Sequence, residues 1–250
     1  MNEYNFPTLD NKVNAPTNTD SQYFSCLDIL NGISRLTYRN VSVLDLSLNQ
    51  FLYISENCYS VAGISPDDII SKGDGFLTEY VPQADLSYIQ TARQAARYFY
   101  SRPEVNPSDY VLTFDFHIEN AKTSFTSLIH HQFTPIQVAP DKSIRLLLCL
   151  TSMSPYPKMG TIEMAHKNNK ELWTYDRQEM KWLLQPNVEL KDIEKEVIRL
   201  SAQGFTISSI AKKLNKSFDT IKFYRKSIFK KLDVESITEA ISVVISKKLL

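Results

Sequence analysis

The chain has 250 residues, of which 43% are apolar and 22% charged, with 28 basic and 28 acidic side chains. This composition indicates a globular protein with one large or two ordinary domains, and it excludes collagen-like and low-complexity classes. No apolar run approaches the ~20 residues that span a bilayer. The three cysteines are scattered, without the spacing of a disulfide framework or a metal site. We therefore expect reduced thiols, a cytoplasmic location and no membrane association.

The charges are divided unevenly along the chain. Residues 191–250 carry 13 basic and 7 acidic side chains, a net charge of +6, whereas residues 1–190 carry 15 and 21, a net charge of −6. A basic segment joined to an acidic body is expected where only one part of a protein meets a polyanion. A solvated helical tail would give the same charge, so the charge alone decides nothing.

The first elements follow from local patterns. Residues 1–20 lack the basic segment and the apolar core of a signal peptide, and we expect a disordered lead-in. Apolar residues at steps of three and four predict a helix over 21–38. Alternation predicts strands over 41–48 and 51–55. Short helices and turns follow, and Ser65 is expected to cap one of them ahead of a proline.

A long helix and three strands are predicted next. The helix covers residues 84–100. The strands cover 109–119, 123–138 and 143–154. All neighbouring strands can pair antiparallel. The prediction for the N-terminal part is therefore an α+β fold with a five-stranded antiparallel sheet and helices inserted between its second and third strands.

Residues 155–189 contain both tryptophans. The stretch around the turn "DRQ" predicts a β-hairpin that carries Trp173 and Trp182, and a helix over 178–184 is the alternative. We interpret 155–189 as a hairpin or linker between a domain over residues 21–154 and a domain over residues 190–250.

The last sixty residues contain only helical signals. Four short segments repeat apolar residues at steps of three and four, which predicts a small all-α domain. Gly204 is expected to end the first helix in the left-handed conformation. Thr206, Ser217 and Ser236 are expected to cap the next three, the last with a capping box to Glu239. Between the second and third helices lie two residues, which is helix-turn-helix spacing.

The third of these helices, residues 217–232, is the candidate recognition helix. Its apolar residues are expected to face the core, namely Ile221, Tyr224, Ile228 and Leu232. The opposite side then presents Asp219, Lys222, Phe223, Lys226 and Lys230. The cations suit phosphates and guanine edges, and the phenyl ring suits a thymine methyl group. The hydroxyls of Thr206 and Ser217, with the N–H groups behind them, are natural phosphate anchors.

Residues 190–250 resemble the LuxR-type (GerE-type) helix-turn-helix domain of bacterial transcription regulators. The run "LKDIEKEVIRLSAQGFTISSIAKKLNKSFDTIKFYRKSIFKKLDVESITEAI" matches that family without a gap, with "TIK…R…KL" after "IA..L". The resemblance implies a dimerising last helix. It also implies a major-groove role for Lys222, Phe223 and Lys226, and DNA-backbone contacts from Thr206, Ser217, Thr220 and Arg225.

A few residues depart from the usual pattern of that family. Ile193, the pair Ser208–Ser209 and Tyr224 replace common polar residues, which puts particular contacts in doubt but not the fold. Asp233 replaces a glycine after "KL". We expect Asp233 to adopt the left-handed conformation, at some cost relative to glycine.

Three classes of sensor domain are candidates for the N-terminal part. A phosphoryl receiver needs alternating parallel βα units, and an acyl-homoserine-lactone-binding domain would place its tryptophans earlier. The predicted order of elements over 41–153, and the stretch "FLYISENCYSVAGISPDDIISKGDGFLTEYVPQADLSYI", resemble a PAS domain instead. That resemblance implies a five-stranded sheet that packs around the helices and acts in sensing or dimerisation.

No cofactor signature is evident. A flavin-binding PAS domain would carry a cysteine within 75–80, and a haem-binding one a histidine in the long helix; neither is present. Cys58 is expected to be a buried structural thiol. His130 and His131 point to opposite faces of a strand, and we expect one buried and one solvated. The interior is either a small-molecule pocket or plain packing of Phe114, Phe116, Leu128, Phe133, Leu146 and Leu148.

No constellation of catalytic residues is evident, so we expect no enzyme. The sequence predicts a cytoplasmic bacterial transcription regulator that binds double-stranded DNA as a homodimer, with RNA polymerase as a further candidate partner. The alternative is a protein-interaction scaffold whose basic helices dock an acidic partner.

Overall fold

The computed structural model describes residues 26–37, 39–56, 62–156, 158–168, 171–186, 188–247 and 249–250. The predicted lead-in and Cys58 lie outside these residues. Contacts divide the chain into two compact units. The first contains the described residues up to Ser154 together with Met159–Gln185, and the second contains Pro155–Lys158 and Pro186–Leu250. The domain boundaries predicted from the sequence stay a prediction.

The described part of the first unit contains four α-helices and eight strands. In chain order they are α1 (Cys26–Thr37), β1 (Asn40–Asp45), β2 (Gln50–Ile54), α2 (Pro66–Lys72), α3 (Phe76–Tyr80), α4 (Gln83–Tyr100), β3 (Tyr110–Glu119), β4 (Thr126–Val138), β5 (Ile144–Met153), β6 (Glu163–His166), β7 (Leu172–Asp176) and β8 (Lys181–Leu184). The strands form one antiparallel sheet in the order β2-β1-β5-β4-β3-β6-β7-β8.

The predicted five-stranded sheet is therefore too small. Strand β6 pairs with β3, with Leu112 opposite Met164, and β7 and β8 continue the sheet from there. Strands β6 and β8 have four residues each. Such short strands show too few alternations for their period to be recognised in the sequence.

The hairpin of β7 and β8 carries both tryptophans, as predicted, and the alternative helix over 178–184 is wrong. Met180 adopts a positive φ of 51° in the turn, which a continuous helix does not allow. The buried Trp182 donates a hydrogen bond from Nε1 to the carbonyl oxygen of Ala95 in α4 at 3.0 Å. The hairpin is therefore part of the packed first unit.

Two apolar clusters are formed by the residues of the first unit that the structure describes. The larger one joins the sheet to α2, α3 and α4, and its fully buried aromatic residues are Phe76, Phe99, Phe114 and Phe116. The smaller one packs α1 against β1, β2 and β5 through Val41, Val43 and Tyr53. Leu148, which was expected in the main core, packs in the smaller cluster because side chains alternate between the two faces of a sheet.

The prediction of one solvated histidine is wrong, because His130 and His131 are both buried. His130 Nδ1 lies 2.8 Å from Oδ1 of the buried Asp115, its cross-strand neighbour. His131 lies on the other face of the sheet among aromatic rings. Its ring centroid is 4.2 Å from the ring centroid of Phe133. Burial, with smaller contributions from Arg93 and His130, lowers the pKa of His131 to about 3, so its imidazole is neutral.

The described residues of the second unit form four helices, α5 (Asp192–Ala202), α6 (Ile207–Lys213), α7 (Phe218–Leu232) and α8 (Ile237–Ser246). They surround one apolar cluster to which every helix contributes, including Val197, Ile198, Ile210, Ile221, Ile228, Ala240 and Val244. The predicted α+β class with a C-terminal helical domain is confirmed. Among the described residues of the chain, no helix is both long and apolar enough to cross a bilayer.

Candidate DNA-binding site

The turn between α6 and α7 has a defined backbone geometry. Asn215 adopts the left-handed conformation with φ of 53°. The N–H of Lys216 donates to the carbonyl of Ala211 at 2.9 Å, and that of Asn215 donates to Lys212 at 3.3 Å. These two bonds make a Schellman motif, which ends α6 and satisfies its last carbonyls. Ser217 then caps α7, as predicted, because its hydroxyl accepts the N–H of Thr220 at 3.1 Å.

The other predicted caps are also present, with one difference. Thr206 Oγ1 accepts the N–H of Ser209 at 3.2 Å, and Gly204 ends α5 with φ of 84°. Asp233 ends α7 in the left-handed conformation, as expected. At α8, Ser236 accepts the N–H of Glu239, but the Glu239 carboxylate accepts the N–H of Glu235 rather than that of Ser236. The capping box is therefore shifted by one residue.

Helix α7 has one buried and one exposed side. Ile221 and Ile228 are fully buried, and Tyr224 and Leu232 pack beside them. The opposite side exposes Lys222, Phe223, Lys226 and Lys230 together with Asp219. Phe223 is 68% exposed, although a phenyl ring gains free energy from burial. The exposed side of α7 thus combines three cations with an aromatic ring.

The remaining predicted site residues lie in or next to α6 and α7, and their side chains already make contacts within the domain. Thr220 is half-buried, and its hydroxyl lies 2.7 Å from that of Ser217. The half-buried Arg225 places its guanidinium 5.7 Å from the centroid of the Phe229 ring. Thr206 immediately precedes α6, and its hydroxyl caps the N-terminus of that helix. Their contacts with DNA stay predictions.

A buried carboxylate connects α5 to α7, a contact that the sequence does not predict. Glu194 is 1% exposed, and its oxygens accept hydrogen bonds from Lys231 Nζ at 2.6 Å, the Lys191 N–H at 2.8 Å and the Ser227 hydroxyl at 2.7 Å. Burial by itself would raise the pKa of Glu194, but these three hydrogen bonds together lower it. The charged carboxylate therefore holds the second half of α7 against α5.

Several candidate residues beside α7 were missed. Lys212, Lys213 and Lys216 are exposed around the turn before α7, and Phe218 begins that helix with its ring partly exposed. The lysines could have been found from the "KKLNK" run alone, since they precede the predicted recognition helix. Phe218 gave no signal, because a single phenylalanine at a helix start is more often part of a core.

A metal ion or a small molecule would need a different kind of site. Among the residues that the structure describes, no group of three or more His, Cys, Asp or Glu side chains could hold a metal ion. The first unit has a cavity of about 20 Å³, lined by residues that include Phe51, Phe76 and His131. A space of that size holds about one water molecule.

Comparisons with known proteins bear on the second unit. Residues 190–244 match the model of the family "Bacterial regulatory proteins, luxR family". The transcriptional regulatory protein RcsB of Escherichia coli K12 is 54% identical over 43 residues, which are 17% of this chain and 20% of RcsB. The activator BglJ of the same organism is 27% identical over 96 residues, 34% of this chain and 43% of BglJ. The C-terminal domain is therefore a LuxR-type helix-turn-helix domain, and the match to RcsB spans one fifth of that protein.

Solved structures give weaker overlaps across most of the chain. A dimer of VqmA from Vibrio cholerae, described as a LuxR-type receptor, overlaps with a TM-score of 0.35 at 16% identity, covering 87% of this chain and 86% of VqmA. SdiA of Escherichia coli overlaps with a TM-score of 0.27 at 15% identity, covering 91% and 93%. Both TM-scores are below 0.5, so neither overlap identifies the fold of this chain.

Proposed function

We propose that this chain, with its LuxR-type C-terminal domain, is a sequence-specific transcription regulator that binds double-stranded DNA as a homodimer through α7. The observation that carries the proposal is the exposed side of α7, where Lys222, Phe223, Lys226 and Lys230 lie opposite a fully buried side. An α-helix fits the major groove of B-DNA, where lysine can donate to guanine O6 and N7.

The surroundings of α7 support the proposal. Lys212, Lys213 and Lys216 add positive charge around the turn before α7. We assign contacts with the DNA backbone to Arg225, Thr220, Ser217 and Thr206, of which Ser217 and Thr206 cap the N-termini of α7 and α6. Phosphate contacts of this kind give affinity without sequence preference, and base contacts from α7 would add the preference. In a two-fold dimer, two copies of α7 would contact half-sites ~34 Å apart.

The test compares two substitutions that each remove one positive charge from the domain. Lys222→Ala should weaken binding to the preferred sequence by ~1–3 kcal/mol and relax the base preference, if Lys222 contacts guanine. Arg199→Ala is the control, because Arg199 lies on α5 and pairs with Glu196 at 3.4 Å. The measurement is the dissociation constant for a panel of selected DNA sequences at several salt concentrations.

If Lys222→Ala binds every sequence as the parent does, the assignment of Lys222 to base contact is wrong. If the parent protein protects no promoter DNA from cleavage, the DNA-binding proposal is wrong. That second result would favour the alternative, in which the basic domain docks an acidic protein partner.

For the first unit we propose a PAS-like module for sensing or dimerisation. The strand order β2-β1-β5-β4-β3, with α2, α3 and α4 between β2 and β3, supports this assignment. The small cavity beside Phe76 and His131 favours plain core packing over a bound molecule in this conformation. Mass spectrometry of the purified protein under native conditions tests this, since a copurified ligand would contradict plain packing. We further propose that the protein acts in the cytoplasm, together with RNA polymerase.

Helix α1 supports the homodimer. Its inward side packs Leu27 and Leu30 on the sheet. Its other side exposes Ile29, Ile33 and Leu36, at 53%, 36% and 83%. These three residues, which we call the α1 stripe, follow one another at steps of four and three, the spacing of the seam between two paired helices. We infer that the α1 stripe of one copy packs against that of a second copy.

A further inference from the structure

Cations of the helix-turn-helix domain are paired with phenylalanine rings. Three such pairs occur between residues 205 and 229, with the cation 4.5–5.7 Å from the ring centroid: Lys213 over Phe205, Lys222 over Phe218 and Arg225 over Phe229. A cation within about 6 Å of a ring centroid and over the ring face is attracted by the ring quadrupole. These three pairs lie in one segment, around the proposed recognition helix.

The pair of Phe218 and Lys222 bears most directly on DNA recognition. Phe218 is the first residue of α7, and Lys222 follows one turn later on the neighbouring surface of the helix. The Lys222 ammonium lies 4.8 Å from the centre of the Phe218 ring. Long side chains on a helix lean towards its N-terminus, and the ring extends this path. The ammonium is thus directed to the end of α7 that contacts base edges in helix-turn-helix proteins.

Core packing does not account for the Phe218 ring. The residue is 43% exposed, and it is absent from the buried apolar cluster of the second unit, which contains Ile221 and Ile228 from the same helix. An exposed lysine samples many rotamers, and ordering them on binding costs conformational entropy. A ring that restricts those rotamers in the free protein reduces this cost.

We propose that Phe218 is a positioning residue that holds the Lys222 side chain towards the N-terminal end of α7 before DNA binds. The inference rests on the proposed function, and it assigns to Phe218 a role in affinity and base preference without any contact of its own with a base. The aromatic face of Phe218 is the required property, rather than its apolar volume.

The first test uses the full-length protein without DNA. A ring face over Lys222 shifts its terminal methylene protons upfield in the NMR spectrum. We expect that shift in the parent and in Phe218→Tyr, which keeps the aromatic face, and its loss in Phe218→Leu, which keeps apolar bulk. An unshifted Lys222 in the parent protein would overturn the inference, whatever the protein binds.

The second test is a double-mutant cycle on a preferred DNA sequence. Phe218→Leu should weaken binding about two- to fivefold, the range of an exposed cation–π pair. In the Lys222→Met background the same change should have no effect, and Phe218→Tyr should restore most of the affinity in the parent background. Equal losses in both backgrounds would overturn the inference and leave DNA binding itself intact. A parent protein that binds no DNA would instead overturn the proposed function, and with it the DNA role of Phe218.

Discussion

At the scale of single residues, Glu194 shows how a charged side chain becomes part of a core. A buried carboxylate loses its hydration, and this loss is tolerated when hydrogen bonds and an opposite charge replace the water. Here Lys231, Ser227 and the Lys191 N–H supply those contacts. Lys231 also donates to the carbonyl oxygen of Glu189 at 2.9 Å. Lys231 is therefore engaged within the domain, unlike Lys230 beside it.

Removal of this carboxylate should destabilise the second unit. Glu194→Ala is expected to cost about 3 kcal/mol, at the low end of the range for broken buried ion pairs, because the Lys231 side chain is 30% exposed and can regain water. Hydrogen exchange of the α7 amides would measure the loss. Glu196→Ala, two residues along the same helix, is the matched control, since its exposed pair with Arg199 should contribute less than ~1 kcal/mol. Equal protection of α7 in both variants would contradict the role assigned to Glu194.

At the scale of elements, the hairpin of β7 and β8 is held by its tryptophans. The ring centroid of Phe99 in α4 lies 5.1 Å from the ring centroid of Trp182 and 5.9 Å from that of Trp173. Strand β8 is only four residues long; Trp182 is buried, and both Leu183 and Leu184 are exposed. The hairpin itself was predictable from its turn, but its docking on α4 was not, because α4 lies some eighty residues earlier in the chain.

Truncation of Trp182 should therefore destabilise the first unit. Trp182→Ala is expected to cost ~3–5 kcal/mol, the usual range for a buried aromatic side chain, and it also leaves the Ala95 carbonyl without this donor. Urea unfolding followed by the fluorescence of Trp173 would measure the change. In the control, Leu184→Ala in the same strand, the exposed side chain should alter the free energy of unfolding by less than ~0.5 kcal/mol. If the hairpin were merely a linker, both Trp182→Ala and Leu184→Ala would change the free energy of unfolding only slightly.

At the scale of the whole molecule, self-association is the property that the proposed function most depends on. Helix-turn-helix proteins read two half-sites through a two-fold dimer, and a single copy of α7 covers one. The α1 stripe offers an apolar contact in the first unit. In the second unit, Ile245 of α8 is also exposed. Exposed apolar residues at regular helical spacing are costly in water unless a partner covers them.

Polar substitutions in the α1 stripe should weaken the dimer. We expect Ile29→Ser combined with Leu36→Ser to shift the sedimentation coefficient towards that of the monomer, because the seam loses its two most exposed apolar residues. Leu48→Ser is the control, as this exposed leucine lies in the turn after β1. Dimers of unchanged stability in the double variant would exclude the α1 stripe, and a monomeric parent protein would exclude the homodimer.

The sequence by itself determined the helical domain almost completely. Its caps at Thr206, Ser217 and Ser236, its left-handed ends at Gly204 and Asp233, and its apolar period all act between residues a few positions apart. Such interactions can be predicted from the sequence because the residues involved lie within about one helical turn of each other. Because one side of α7 is apolar and therefore buried, the exposure of the cations on its other side followed directly.

Only the tertiary structure decided the features that join distant parts of the chain. It placed β6 against β3, which enlarged the predicted sheet, and it buried both His130 and His131 on opposite faces. It also joined Glu194 to Lys231 and left the α1 stripe uncovered. Each of these features depends on which distant residues come into contact after the chain has folded back on itself. A local sequence pattern contains no information about those distant residues.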